Sequence, residues 1–263
     1  RMLATQCFDE DLSTTGLELE LFLVGPDLTA SRSNAQVLAA IDDPSYVPEL
    51  GAFTLELNVE PRALGEDGAL ELERDVESRL ARVRAAGTTA GAQPVAIGIL
   101  PTLMQSDFDE GWMSVNTRYQ ALNDAIMRAR GEDVLIDIEG AAGERLAFYS
   151  ESIAPEAACT SLQLHLQVAP HRFAPSWNAA QAIAGPQVAL AANSPYCCGK
   201  ELWHATRIEL FRQATDTRSI ELANQGVRPR VTFGDRWITS IFDLFEDNVR
   251  HYPALLPEIS DED

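Results

Sequence analysis

The stretch GLELELFLV, Gly16–Val24, alternates with the period of a β-strand. Side chains along a strand point to its two faces in turn. Leu17, Leu19, Leu21 and Leu23 therefore share one face, and Glu18 and Glu20 share the other. The pattern returns twice. In Phe53–Val59, Leu55, Leu57 and Val59 oppose Glu56, Asn58 and the following Glu60, and Pro61 is expected to end the strand. In TSLQLHLQV, residues 160–168, Leu162, Leu164, Leu166 and Val168 oppose Ser161, Gln163, His165 and Gln167. An antiparallel sheet with one wet face explains any one of these strands at no functional cost. Together, however, the polar faces contain no Lys or Arg, and like charges on neighbouring strands repel. A cation is expected over them. Mg²⁺ and Mn²⁺ take carboxylate oxygens, and Mn²⁺ also accepts imidazole. Residues two apart on a strand lie about 6.6–6.8 Å apart, which suits acids serving adjacent ions.

The rest of the chain mixes helices and strands. NAQVLAAI (34–41) reads as a short helix, and Leu72, Val76, Leu80 and Val83 mark an amphipathic helix over 68–92. PVAIGIL (94–100) reads as a buried strand, 114–130 as a helix and 133–140 as a strand. A helix is expected over 176–195, kinked or broken at Pro186, with two more over 201–214 and 235–252. No βαβ rhythm appears, which predicts an α+β fold with an antiparallel sheet, in one domain spanning 1–263.

Composition narrows the function. Against 20 Lys+Arg stand 40 Asp+Glu, a net charge of −20 over 263 residues. That excludes nucleic acid or an anionic membrane as the main partner. Lys200 is the only lysine. The four cysteines form no CxxC pair, and the neighbours Cys197 and Cys198 are poorly placed to bridge each other. No signal peptide and no apolar run of membrane-spanning length is read, so a cytoplasmic location is expected. The acidic tail EISDED, 258–263, reads as solvated and disordered.

The ExE strand, ELGAFTLELNVEP (49–61) and TSLQLHLQV come in a familiar order with GILPTL (98–103), NTRYQAL (116–122) and NSPYCCGKELWHATRIELF (193–211). The set resembles the glutamate–cysteine ligase and carboxylate–amine ligase family, a branch of the glutamine-synthetase-like superfamily, from about Gly16 to about Arg212. The resemblance implies a curved antiparallel sheet with helices on one face, whose concave face binds Mg²⁺ or Mn²⁺. It implies that ATP phosphorylates a glutamate-like carboxylate and that an amine or amino acid attacks the acyl phosphate. It also implies ligands: Glu18 with His165 at one ion, and Glu20, Glu49 and Glu56 at another. Arg207 would contact phosphate or the substrate carboxylate, with Arg62 and Lys200 as further nucleotide contacts. Arg118, Tyr119 and Gln167 fall on the substrate side, and Glu56 or Glu60 is available to take the amine's proton. Related enzymes often form homo-oligomers.

One departure stands out. The family supplies a last acid and an arginine from a strand near the C-terminus, and no such motif follows Arg230. Arg218 and Glu221 in TRSIEL have the right types in a poor strand context. A further C-terminal segment is therefore expected outside these residues. The alternative is a non-catalytic relative that keeps the metal or ligand face.

Overall fold

A computed structural model describes residues 5, 7, 8, 13–63, 65 and 67–256; the acidic tail lies outside them. The elements run β1 (Thr15–Val24), α1 (Asn34–Ile41), β2 (Tyr46–Pro48), β3 (Thr54–Arg62), α2 (Gly68–Ala90) and β4 (Gln93–Val95). They continue with α3 (Thr117–Arg130), β5 (Val134–Glu139), β6 (Arg145–Ser150), β7 (Leu162–Leu166) and α4 (Pro170–Ala191). A short hairpin, β8 (Tyr196–Cys197) and β9 (Lys200–Glu201), precedes α5 (Thr206–Ala214), α6 (Ile220–Asn224) and α7 (Phe242–His251). The fold is α+β with antiparallel sheets.

β1 is the spine of the main sheet. One edge pairs with β3, which carries β2 beyond it. The other edge is shared: β7 pairs along Thr15–Leu19 and β4 along Phe22–Val24, both antiparallel. Glu20 falls at the junction between these two partners.

The leucine face behaves as its alternation predicts on β1 and β3. Leu17, Leu19, Leu21, Leu23, Leu55, Leu57 and Val59 are buried with Val37 and Ile41 of α1 and Val83 of α2. The opposite face changes character along β1. Glu18 and Glu20 are half-buried, but Phe22 and Val24 enter a second core with Phe53, Ile136, Ile138, Leu146 and Leu210. The Phe22 and Phe53 rings stack there, centroids 6.0 Å apart. Packed elements thus lie on both sides of β1, not on one face as expected, because the even-numbered residues turn apolar after Glu20.

Other expectations need correcting. The leucines of β7 do not reach a core: Leu162, Leu164 and Leu166 are 55%, 58% and 66% exposed. β7 sits at the sheet's edge, and α1 and α2 pack over β1 and β3. Pro61 does not end β3, which runs on to Arg62. The pairing shifts there, two residues of β3 opposing Gly16 alone, and a bulge tolerates a residue without an N–H. The PVAIGIL strand stops at Val95, α4 starts at Pro170 and runs unbroken through Pro175 and Pro186, and residues 201–205 are not helical. The last helix covers only 242–251 of the 235–252 expected. TRSIEL is not a strand: Ser219 caps α6, its side chain accepting from Leu222 N–H, and Arg218 forks onto Asp216. β2 and β6 were not legible as strands.

Candidate active site

Cross-strand register brings the acids together. Glu20 on β1 stands directly opposite Glu56 on β3, and Glu18 opposite Asn58. Glu49 joins them from the segment after β2. One carboxylate oxygen from each of Glu20, Glu49 and Glu56 lies within 4.8 Å of the other two. The Glu49 backbone is fixed by buried polar contacts. Ser114 Oγ donates to Glu49 O, and Asn34 Nδ2 donates to Ser114 Oγ at 2.8 Å and to Thr54 O at 3.0 Å. Tyr119 Oη donates to the neighbouring Pro48 O at 2.8 Å.

The electrostatics are those of an uncompensated acid cluster. Burial, then the charges of Glu20 and Glu56, push Glu49 up to about 8. Burial raises Glu20 too, against hydrogen bonds from Ser161 and Gln163 and with Glu56 adding to the rise. Burial and then the acids Glu49 and Glu56 hold the Tyr119 phenol up at about 12. Three carboxylates this close, none ion-paired to a basic side chain among the described residues, are what a divalent cation requires of hard oxygen ligands. The donor set fits Mg²⁺ or Mn²⁺.

A second group lies along β7. His165 Nε2 is 3.2 Å from Glu18 Oε2, and Gln163 Nε2 donates to Glu20 Oε1 at 3.1 Å. Gln167 lies beyond them, its Oε1 accepting from Thr14 Oγ1 at 2.8 Å.

Arg207 reaches the cluster's flank through three converging motifs. Its backbone N–H donates to Ser194 Oγ at 3.2 Å, and its guanidinium donates to Thr160 O. Thr160 N–H donates in turn to Gly98 O at 3.1 Å, and Gly98 N–H donates to Asn193 Oδ1, also at 3.1 Å. A Cβ on residue 98 would sit 2.5 Å from Asn193 Oδ1, so a side chain there would push the Asn193 amide out of this contact. GILPTL, TSLQ and Asn-Ser-Pro are thus three sides of one joint, next to Glu20. Arg207 has no carboxylate partner among the described residues.

Not every candidate comes to this place. Arg62 is ion-paired with Asp75 of α2, on the leucine side of the sheet, because the bulge at Pro61 breaks the alternation that would have put it on the face of Glu56. Lys200 lies exposed on the β8–β9 hairpin, whose Glu201 N–H donates to Glu144 in the β5–β6 turn. Arg118 is exposed in the first turn of α3, and Glu60 is exposed on β3. Sequence reasoning missed Glu156. It sits in the one-turn helix 154–158, flanked by Ala and Pro, and burial followed by the charge of Glu20 raises it to about 7. Its only signal was an acid set among small apolar residues.

Among curated proteins, none matches the chain. The glutamate-cysteine ligase family 2 profile matches residues 14–225, a span that contains every motif of the joint and the cluster. With that match over most of its length, the chain belongs to glutamate-cysteine ligase family 2.

Proposed function

We propose that the chain is an ATP-dependent carboxylate–amine ligase acting on a glutamate-like acid, with a glutamine-synthetase-like catalytic domain. The observation that carries this reading is the Glu20–Glu49–Glu56 cluster flanked by Arg207. ATP and an acyl phosphate are both anionic. An acidic sheet face holds them only through cations, and a bound Mg²⁺ or Mn²⁺ would neutralise charge on the phosphoryl group in transfer. Glu20, Glu49 and Glu56 would hold one ion, and Glu18 with His165 another. Arg207 offers a planar fork to the phosphoryl oxygens. Tyr119 and Ser114 keep the Glu49 segment in place.

The reaction proceeds in two transfers. The γ-phosphoryl group passes to a carboxylate oxygen, and ADP leaves. The neutral amine nitrogen then bonds to the acyl carbon, the C–O bond to the phosphate breaks, and phosphate leaves with the bonding pair and takes up the proton the nitrogen sheds. On this reading one catalytic domain, with both cores built on β1, supports the whole site.

The test is ADP release with Mg²⁺-ATP, glutamate and a panel of amines. Release that needs both acid and amine, and that falls at least about 100-fold in Glu49→Gln and Arg207→Ala, is expected. Metal binding by calorimetry without any ADP release would point instead to a non-catalytic relative.

A further inference from the structure

A cavity of about 740 Å³ opens beside the acid cluster. Glu20 and Arg207 are among its lining, so it borders the place proposed above for the acyl phosphate. Its remaining surface is unlike the cluster. Ile208 and Phe211 of α5 face Val231 and Phe233 from the segment before α7, and the exposed lining is mostly apolar. Two charged groups break that lining: Arg212, ion-paired with Glu209, and Glu156. The Glu156 carboxylate is largely buried and meets no hydrogen-bond donor or basic side chain among the described residues. A buried acid without a partner is costly, and a cation seated beside it removes that cost.

We propose that this cavity is the pocket of the amine substrate, and that it selects a primary amine with an aliphatic or aromatic body. The inference rests on the ligase reading. The amine binds as its ammonium at Glu156 and loses one proton to solvent to give the neutral nitrogen that attacks, while the body lies between Phe211 and Phe233. Size agrees: small-molecule sites measure roughly 300–1,000 Å³ and are mostly apolar with a few placed polar groups. Charge agrees as well. Glu156 offers the ammonium an unpaired carboxylate, while Arg212, the other charged side chain away from the cluster, is already held by Glu209. Glu156 is here a positioning residue that holds the amine, and Phe211 and Phe233 set its shape.

The experiment uses the 263-residue chain and two readouts. Calorimetry compares phenethylamine with ethanolamine and with cysteine, without ATP; ADP release is then followed with each amine, glutamate and Mg²⁺-ATP. Phenethylamine is expected to bind at least about 10-fold tighter than ethanolamine. Glu156→Gln should weaken both amines alike, and Phe233→Ser should remove most of that preference. Phe233 is 71% exposed, so its substitution leaves the fold intact, and Gln keeps the shape of Glu156. Equal binding of the two amines, affinities unchanged in Glu156→Gln, or a preference unchanged in Phe233→Ser would overturn the pocket. ADP release with cysteine and none with phenethylamine would overturn the amine class while upholding the ligase. Phenethylamine binding that depends on Glu156, with no ADP release from any amine, would overturn the ligase reading and leave the pocket's ligand class standing.

Discussion

Glu49 is the acid whose surroundings most oppose its charge, and the sign of that opposition makes a prediction. Its carboxyl is raised from 4.5 to about 8. A raised folded-state value means the folded protein holds the proton more tightly than the unfolded chain. The stability this confers is full below 4.5 and is lost as pH rises through about 8. Chelator-treated protein should therefore melt at progressively lower temperature between these limits, and Glu49→Gln should flatten that slope and raise Tm at the alkaline end. Mg²⁺ or Mn²⁺ should raise Tm of the native sequence at the same pH, since an ion that binds only the folded state stabilises it. A melting temperature indifferent to both pH and metal would count against a cation site here. How visible such residues were in the sequence varied. Glu18, Glu20, Glu56 and His165 were spelled out by alternation on three strands. Glu49, outside any strand, was reached only through a resemblance. Glu156 was out of reach because burial of a lone acid depends on what folds over it. Arg62 misled because a bulge, invisible in the pattern, moved it to the other side of the sheet.

At the scale of elements, alternation tells which side chains share a face and not whether a layer covers that face. β3 and β7 carry the same apolar pattern, yet Leu57 is fully buried and Leu164 is 58% exposed. Equilibrium urea unfolding should separate them. Leu57→Ala should cost about 2–5 kcal/mol. Leu164→Thr should change stability by less than about 0.5 kcal/mol, as expected of an exposed site. Similar large losses at both positions would show that the β7 face is covered. The helices were legible where an apolar stripe met a packing partner, as in α1 and α2, and poorly bounded elsewhere. α4 buries little beyond Ala174, so no stripe marked its start, and helical hydrogen bonding carried on past Pro186 where local rules predicted a kink or break. β2 and β6 are three and six residues long and were missed because short pairs draw their stability from the neighbours they meet.

The molecule as a whole carries a charge of −20, and much of that charge lies on exposed acids that repel through solvent. Added sodium chloride should raise the melting temperature from low ionic strength up to the physiological range, as screening weakens self-repulsion. A fall in Tm over that range would indicate that attractive ion pairs, such as Arg228 with Asp235 and Asp247, dominate instead. The α+β class was legible because helices and strands mix without a βαβ rhythm. The two-sided packing of β1 was not, because it hinges on the single step from Glu20 to Phe22.

That step also has a consequence in time. A strand clamped between two cores opens only when both give way, so the amide protons of Leu19–Leu23 should be among the slowest to exchange with deuterated solvent. The carboxylate of Glu20 rides on that strand. Its backbone would then be one of the last parts of the protein to move in any fluctuation short of unfolding, while the helix α4 and the outer edge of β7 breathe freely around it.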